Sequence, residues 1–401
     1  MGVNSPSGMA EYQKINSLSM LESYCAELAD EELVAFDTEF VSEDRYRPEL
    51  CLIQVATRSS CAIIDPMVVG DTSPFWNFLA TTKNIVIAHA AREEIRFCHR
   101  YAGRPVANLF DVQLAAGFTG VEYPASLATL VQKFAGRTVS KGETRTDWRR
   151  RPLTQHQLDY AIQDVLFLPD MYSSLFKSIC DLGRESWLKE ETASIQVRIA
   201  EVESNESWHR TTGASNLPAR QMAIVRSVWR WRDTLAKQLD QPPRRILRDD
   251  LIVELARRGS ADVRRIRAIR GFERRNIQNE MDNIGEAIRE ALALSDAELP
   301  RRFQGGRRFQ SPVLTQFLST AIGSVCRKHQ VAPAIVGNSD DVRDLLAYEI
   351  DGREGRKPAL LEGWRAEVVG NSFRELLAGK LTLRVTDIHG DEPLEFFRVE
   401  E

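Results

Sequence analysis

A chain of 401 residues with 43% hydrophobic content can bury large cores, and its length predicts two or three domains. The formal net charge of -4 is too small to indicate a partner, because a near-neutral total can hide a local patch of one sign. An apolar run of about 18 residues is absent, which argues against a transmembrane helix. The N-terminus lacks a basic segment followed by an apolar one, which argues against a secretory signal.

The six cysteines are scattered and form no C-x-x-C pair, so neither a zinc site nor a disulfide framework is expected. The residue types therefore indicate a soluble protein of a reducing compartment, and we expect it to be cytoplasmic.

The first half of the chain alternates between strand and helix patterns. Three short strands in quick succession suggest an antiparallel meander, and the alternation that follows predicts a mixed α/β sheet with helices on both faces. The predicted strands are Leu33–Phe40, Leu50–Ala56, a short strand that starts at Cys61 and is stopped by Pro66, and Asn84–Ala88. The predicted helices start at Ser73 and near Glu93 and then cover Ala125–Phe134 and Thr154–Cys180.

Two carboxylates spaced two apart, Asp37 and Glu39, end the first strand. The period of two in a strand points both side chains to the same face. Such a pair on a buried strand needs a cation nearby, and a divalent metal ion is one explanation. A strand edge whose acidic residues face water is the other, and the pair alone does not decide between them.

Two further acidic groups follow. Glu93 and Glu94 lie just after the strand that ends near His89, at the position where open α/β sheets usually bind ligands. Tyr160 and Asp164 are four residues apart, so they lie on the same face of the predicted Thr154–Cys180 helix. Taken in isolation, this second pair is more typical of a solvated stripe on the helix.

In this order and spacing, the three groups resemble the exonuclease motifs of the DEDD superfamily, and the tyrosine is typical of its DEDDy branch. The residues around them resemble bacterial ribonuclease D from the start of the chain to about residue 190. The matching segments are Phe36-Asp-Thr-Glu-Phe40, Leu52-Ile-Gln54, Ile64-Asp-Pro66, Leu109-Phe-Asp111, Thr146-Asp-Trp148 and Arg151-Pro-Leu153.

The resemblance implies a ribonuclease H-like fold and 3′→5′ exonuclease chemistry with two divalent ions, Mg²⁺ or Mn²⁺. By analogy, Asp37, Glu39 and Asp164 hold the ion that binds the attacking water, and Asp37 also reaches the second ion. Tyr160 orients the water and the scissile phosphate, a role that needs no ionisation of its hydroxyl.

Glu94 departs from the family, which has an aspartate at this position. The longer glutamate side chain has three possible consequences. The water shell of the second ion rearranges and the activity is unchanged, the metal preference shifts towards Mn²⁺, or the rate of hydrolysis falls. Glu93 is an alternative ligand, although its side chain leaves the helix about 100° away. A surface position for Glu94 is the remaining alternative.

Two histidines and one more aspartate have less direct interpretations. His89 and His156 are expected to be a supporting residue and a surface bystander, and Asp111 is expected to cap a helix.

The loop before the third motif combines basic residues with an aromatic one. We predict that Lys141, Arg145, Trp148 and Arg151 contact phosphates and a stacked base, with a solvated charged loop as the alternative.

The second half is helical and strongly charged. The run Trp229-Arg-Trp-Arg232, then Pro242-Pro-Arg244 and Leu247, resembles an HRDC domain. Arg264 and Arg267 belong to a local cluster of arginines that is a candidate for RNA phosphates, or for pairing with neighbouring glutamates. A third segment loosely repeats this layout and ends in a possible strand at Gly379–Val385.

We therefore expect an exonuclease domain at 1–205, an HRDC domain at 212–297 and a diverged, second all-α HRDC-like domain at 308–390. The leading hypothesis is a monomeric 3′→5′ exoribonuclease that trims structured RNA such as tRNA precursors. A DNA exonuclease of similar architecture, or an RNA-binding homologue with a weakened site, are the alternatives.

Overall fold

The chain folds as two compact units, each of which contains more than one segment. The computed structural model describes residues 11–139, 146–214, 217–272, 275–300, 311–389 and 394–399. The first unit comprises Met1–Glu39, Cys51–Ala200 and Gly306–Glu401, and the second comprises Phe40–Leu50 and Glu201–Gly305. No helix in the described ranges is both long enough and apolar enough to cross a membrane.

A six-stranded mixed sheet has the order β1-β4-β3-β2-β5-β6. Strands β3 and β4 are antiparallel, whereas β1 pairs in parallel with β4, and β2 and β6 both pair in parallel with β5. The mixed sheet expected from the sequence is confirmed, and the two edge strands β1 and β6 were not foreseen as strands. The strand limits are β1 Gln13–Ile15, β2 Leu33–Val41, β3 Glu49–Ala56, β4 Cys61–Ile64, β5 Ile85–Ala88 and β6 Leu109–Asp111.

The pairing register places three functional segments at one edge of this sheet. Leu33 to Ala35 of β2 pair with β5, so Asp37 and Glu39 lie beyond the paired stretch. Ala88, the last residue of β5, is opposite Asp111, the last residue of β6. Because the three strands are parallel, their carboxyl ends meet at the edge where open sheets bind ligands.

Nine helices of the described chain surround the sheet. They are α1 Leu18–Leu28, α2 Pro66–Val69, α3 Ser73–Thr81, α4 Arg92–Ala102, α5 Val112–Gly117, α6 Leu127–Leu130, α7 Gln155–Leu166, α8 Leu168–Asp181 and α9 Glu185–Ser204. The helix predicted over Thr154–Cys180 is broken at Phe167, because Pro169 begins a new helix there. The helix predicted at Ala125–Phe134 is shorter and continues as a wider π-type turn over Val131–Ala135.

The second unit is built from helices and the segment Phe40–Leu50. Its core is apolar, and Arg232 lies buried in it, donating to the Leu247 carbonyl at 2.8 Å and to Asp249 Oδ1 at 2.6 Å. The Tyr46 hydroxyl donates to Asp233 Oδ1 at 2.7 Å, a contact that the sequence did not indicate. The helices are α10 Ala219–Gln238, α11 Pro243–Ile246, α12 Asp249–Arg258, α13 Val263–Arg267, α14 Arg275–Gln278 and α15 Met281–Ala293.

The C-terminal region belongs to the first unit. Its long helix, proline-initiated turn and polar-capped helix repeat the order of α10, α11 and α12, and the diverged second HRDC-like copy stays a prediction. Part of the predicted terminal strand forms β7, which pairs with an unforeseen β8. The elements are α16 Pro312–Lys328, α17 Pro333–Val336, α18 Ser339–Ile350, α19 Gly363–Arg365, α20 Asn371–Leu377, β7 Leu381–Val385 and β8 Leu394–Arg398. Short 3₁₀ turns lie at Trp208–Arg210, Asp296–Glu298 and Ala359–Leu361, and a second π-type turn at Ala366–Gly370.

A buried arginine joins the C-terminal region to the α/β part of the first unit. Arg184, between α8 and α9, donates to the carbonyls of Phe118 at 2.5 Å and Gln330 at 2.7 Å, and also to that of His329. Trp364 packs edge-on against the Phe118 ring at 4.9 Å between centroids. The domain limits 1–205, 212–297 and 308–390 stay predictions, since the contacts group the first and third segments in one unit.

The Arg184→Ala variant tests this junction. Removing the guanidinium leaves three carbonyl groups without their donor, and we expect a loss of about 2–4 kcal/mol in the free energy of unfolding. Urea unfolding followed by circular dichroism measures it, with Arg104→Ala as the exposed control. An equal loss in both variants would contradict the assigned role of Arg184.

Candidate active site

Three carboxylates converge at the sheet edge. Oxygen atoms of Asp37, Glu39 and Asp164 lie within 4.8 Å of one another. The first two point from one face of β2, as the period-two rule predicts, and the third comes from α7. The sequence-predicted grouping of these residues is therefore reproduced in space.

Glu94 lies beside this group rather than within it. The side chain is buried, with 5% exposure, and its Oε1 accepts a hydrogen bond of 2.7 Å from the Thr38 hydroxyl. Glu93 instead pairs with Arg96 on the same helix. The alternative that Glu94 is a surface residue is wrong, and Glu94 rather than Glu93 faces the carboxylates.

Gln54 is a site residue that stands out in the sequence only as part of the motif Leu52-Ile-Gln54. It lies fully buried on β3 and donates from Nε2 to Asp37 Oδ2 at 3.0 Å. Its Oε1 is buried without a hydrogen-bond partner in the described part of the chain. A lone amide in the otherwise apolar run Leu50–Ala56 is the signal that could have identified it.

Burial is the largest cause of a raised pKa for all four carboxyl groups, Asp37, Glu39, Glu94 and Asp164. The pKa of Glu39 rises to about 9, with the charges of Asp37 and Asp164 adding to the effect of burial. Among the residues that the structure describes, no lysine, arginine or histidine forms an ion pair with any of the four.

A cluster of carboxylates that is largely withdrawn from water and has no cationic side chain beside it fits a divalent cation. Oxygen ligands are those that Mg²⁺ and Mn²⁺ prefer, and the unpartnered amide oxygen of Gln54 lies next to them. The donor set of this site is therefore that of a metal centre.

Tyr160 completes the site from the same face of α7 as Asp164. Its hydroxyl donates to the Asp164 carboxylate, and burial followed by the charge of Asp164 raises the pKa of the phenol. The tyrosine is therefore neutral at physiological pH. Its ring lies 6.2 Å from that of Trp148, centroid to centroid.

The residues predicted to bind nucleic acid are placed unequally. Lys141 and Arg145 lie outside the described residues. Trp148 is buried and therefore not open to a stacking base, and the guanidinium of Arg151 is occupied by protein acceptors. The structure thus corrects the prediction for these two residues. Arg264 and Arg267 are exposed and form no ion pair within the described chain.

The expectations for the remaining polar residues agree with the structure. Asp111 caps α5 and also accepts from the amides of Ala90 and Ala91, at 3.1 and 2.9 Å, which fixes the turn into α4. His89 is held by the Ala125 carbonyl at 3.1 Å and is half-buried, and His156 is exposed.

Comparisons with known proteins match this architecture. A 3′-5′ exonuclease family model matches residues 12–179, and an HRDC domain model matches residues 221–288. The chain is 32% identical over 390 residues to ribonuclease D of Gluconacetobacter diazotrophicus, covering 96% of this chain and 98% of that protein. It is 33% identical over 372 residues to ribonuclease D of Granulibacter bethesdensis, covering 91% and 92%.

Among solved structures, the fold is similar to that of Escherichia coli ribonuclease D, described as an exoribonuclease involved in structured RNA processing. The TM-score is 0.81 at 25% identity, with 92% of this chain and 99% of that chain covered. Similarity of this extent, across the nuclease and helical regions together, places the chain in the ribonuclease D family of 3′→5′ exoribonucleases.

Proposed function

We propose that the site hydrolyses the terminal phosphodiester of RNA with the help of two divalent ions, Mg²⁺ or Mn²⁺. The observation that carries this proposal is the half-buried group of Asp37, Glu39 and Asp164, which has no cationic partner in the described residues. When bound, two such ions supply an activated water, neutralise the phosphate and stabilise the leaving 3′ oxygen.

The residues of the chain then have distinct tasks. Asp37, Glu39 and Asp164 would hold one ion, and Asp37 and Glu94 would face the second. The Thr38 hydroxyl fixes the carboxylate of Glu94, and the Gln54 amide fixes that of Asp37. Tyr160, protonated and tied to Asp164, would orient the attacking water and the scissile phosphate.

RNA with a structured body and a 3′ tail, such as a tRNA precursor, is the proposed substrate. The family supports this choice, and the exposed arginines Arg264 and Arg267 in the second unit are suited to its phosphates. A monomeric state and a cytoplasmic location stay predictions.

A matched substrate pair tests the activity. We expect a 3′-overhanging RNA to lose mononucleotides from its 3′ end in Mg²⁺ or Mn²⁺ but not in EDTA, and its DNA twin to be degraded much more slowly. The Asp37→Asn variant, which keeps the side-chain shape but removes a charge, serves as the inactive control. Equal degradation of DNA would favour the DNA exonuclease alternative, and no degradation of either would favour the RNA-binding one.

Variants at the two adjacent glutamates test the assignment of Glu94. We expect Glu94→Gln to lower kcat by roughly a hundredfold, because it removes a charge that would face the second ion. Glu94→Asp, which restores the family residue, should retain activity, and Glu93→Gln should be close to wild type. A large loss in Glu93→Gln with none in Glu94→Gln would assign the ligand role to Glu93 instead.

Stability in the absence of metal should depend on pH. The raised pKa values of the four carboxyl groups mean that the folded chain binds more protons than the unfolded chain above about pH 4. The metal-free Tm should therefore fall as pH rises from 6 to 8, and the increase in Tm on adding Mg²⁺ should be larger at pH 8. Thermal unfolding in EDTA and in Mg²⁺ measures both, with Asp37→Asn/Asp164→Asn expected to flatten the trend. An increase in Tm with Mg²⁺ that becomes smaller as the pH rises would contradict the assignment of these carboxylates to a metal site.

A further inference from the structure

Arg151 is an internal anchor in the described chain. Its Nε and Nη2 donate to the two oxygens of Asp65 at 2.6 and 2.8 Å, and Nη2 also donates to the Cys51 carbonyl at 2.9 Å. Its Nη1 donates to the carbonyls of Trp148 at 2.7 Å and Arg150 at 3.0 Å. These five hydrogen bonds match the five N–H donors of a guanidinium, so none is left for an RNA phosphate.

The anchor joins three parts of the first unit. Cys51 belongs to β3, the strand that also carries Gln54, and Asp65 is the residue that caps α2. Trp148 belongs to the loop that leads into α7. The Arg151–Asp65 pair therefore fixes this loop against the sheet.

The loop is tied to α7 from its other end as well. The Gln157 amide, in the first turn of α7, donates to the Thr146 hydroxyl at 3.0 Å. Between these two attachments the Trp148 side chain is buried, with 5% exposure, and its ring lies 6.2 Å from that of Tyr160 at an angle of 36°. Aromatic rings at this distance attract each other and restrict each other's rotation.

We propose that Trp148 is a positioning residue for Tyr160, and that the Arg151–Asp65 ion pair holds Trp148 in place. The inference rests on the proposed role of Tyr160 in orienting the water and the phosphate. A phenol hydroxyl lies at the far end of its ring, so a small tilt of the ring moves the hydroxyl away from Asp164. The Trp148 ring limits that tilt from one side.

The chemistry of the pair explains the choice of residues. A guanidinium matches a carboxylate through two parallel hydrogen bonds and still has donors for three carbonyls, whereas a lysine ammonium has three donors in total. Arg151→Lys therefore keeps the charge but cannot keep all five hydrogen bonds, and it loses the paired contact to the two oxygens of Asp65. The neighbouring Arg150, 85% exposed, offers a matched control that undergoes the same change.

Kinetics on the RNA substrate form the first test. We expect Trp148→Ala and Arg151→Lys to lower kcat by roughly tenfold to a hundredfold with little change in KM, the effect of a misplaced catalytic group. Arg150→Lys should match the wild type. If Trp148→Ala lowers the Tm markedly, Trp148→Leu is used instead, because it keeps more of the buried volume.

A double-mutant cycle separates positioning from a merely structural role. In the Tyr160→Phe background the hydroxyl is already absent. Adding Trp148→Ala or Arg151→Lys should therefore lower kcat little further. Equal fold losses in the two backgrounds would overturn the proposal. A rise in KM with unchanged kcat would also overturn it and would assign the loop to substrate binding.

A second readout does not depend on activity. With 3-fluorotyrosine incorporated throughout, the ¹⁹F resonance of Tyr160 is identified by its loss in Tyr160→Phe. It should shift in Trp148→Ala and Arg151→Lys and stay in place in Arg150→Lys. An unchanged resonance in the first two variants would sink the inference even if the enzyme is active. An inactive wild type with the expected shifts would instead refute the proposed function alone.

Discussion

The clustering of four carboxyl groups, one buried and three half-buried, at one end of a parallel set of strands is the constraint on which the site depends. In a medium of low polarity, like charges this close cannot all ionise without a compensating cation. No described lysine, arginine or histidine compensates these charges. The cluster therefore destabilises the folded chain by itself and stabilises it when a cation binds. The same carboxylate oxygens therefore affect both the stability of the fold and the binding of the catalytic ions.

The fold restrains this region by giving three of the four acidic groups a hydrogen-bond donor of their own. Asp37 is held by Gln54 from the adjacent strand, Glu94 by Thr38, and Asp164 by Tyr160. Thr38 lies between the two acidic residues of β2, and its hydroxyl reaches the Glu94 carboxylate on α4. The added methylene of Glu94 extends its reach, and the hydrogen bond from Thr38 defines where that longer side chain ends.

Local spacing explains what the sequence could predict. The pairs Asp37/Glu39 and Tyr160/Asp164 follow from the periods of a strand and a helix, and the cap at Asp111 follows from its place before α5. Arg151 could not be interpreted in this way, because its partners Cys51 and Asp65 lie 100 and 86 residues earlier in the chain. A basic residue beside a nuclease motif looks like a phosphate ligand until its long-range acceptors are known. The same limit applies to Gln54, whose amide is interpretable only once Asp37 is placed beside it.

The C-terminal region shows a related limit at the level of domains. Composition separates three segments, yet composition carries no information about which segments dock. Arg184 follows α8, which itself begins two residues after the end of α7, the helix of Tyr160 and Asp164. Its bonds to the carbonyls of Phe118, His329 and Gln330 fix the end of α8 between the α/β part and the C-terminal helices. The C-terminal region therefore braces the helical layer that supplies one of the carboxylates, and the catalytic part of the enzyme extends beyond the segment that carries its motifs.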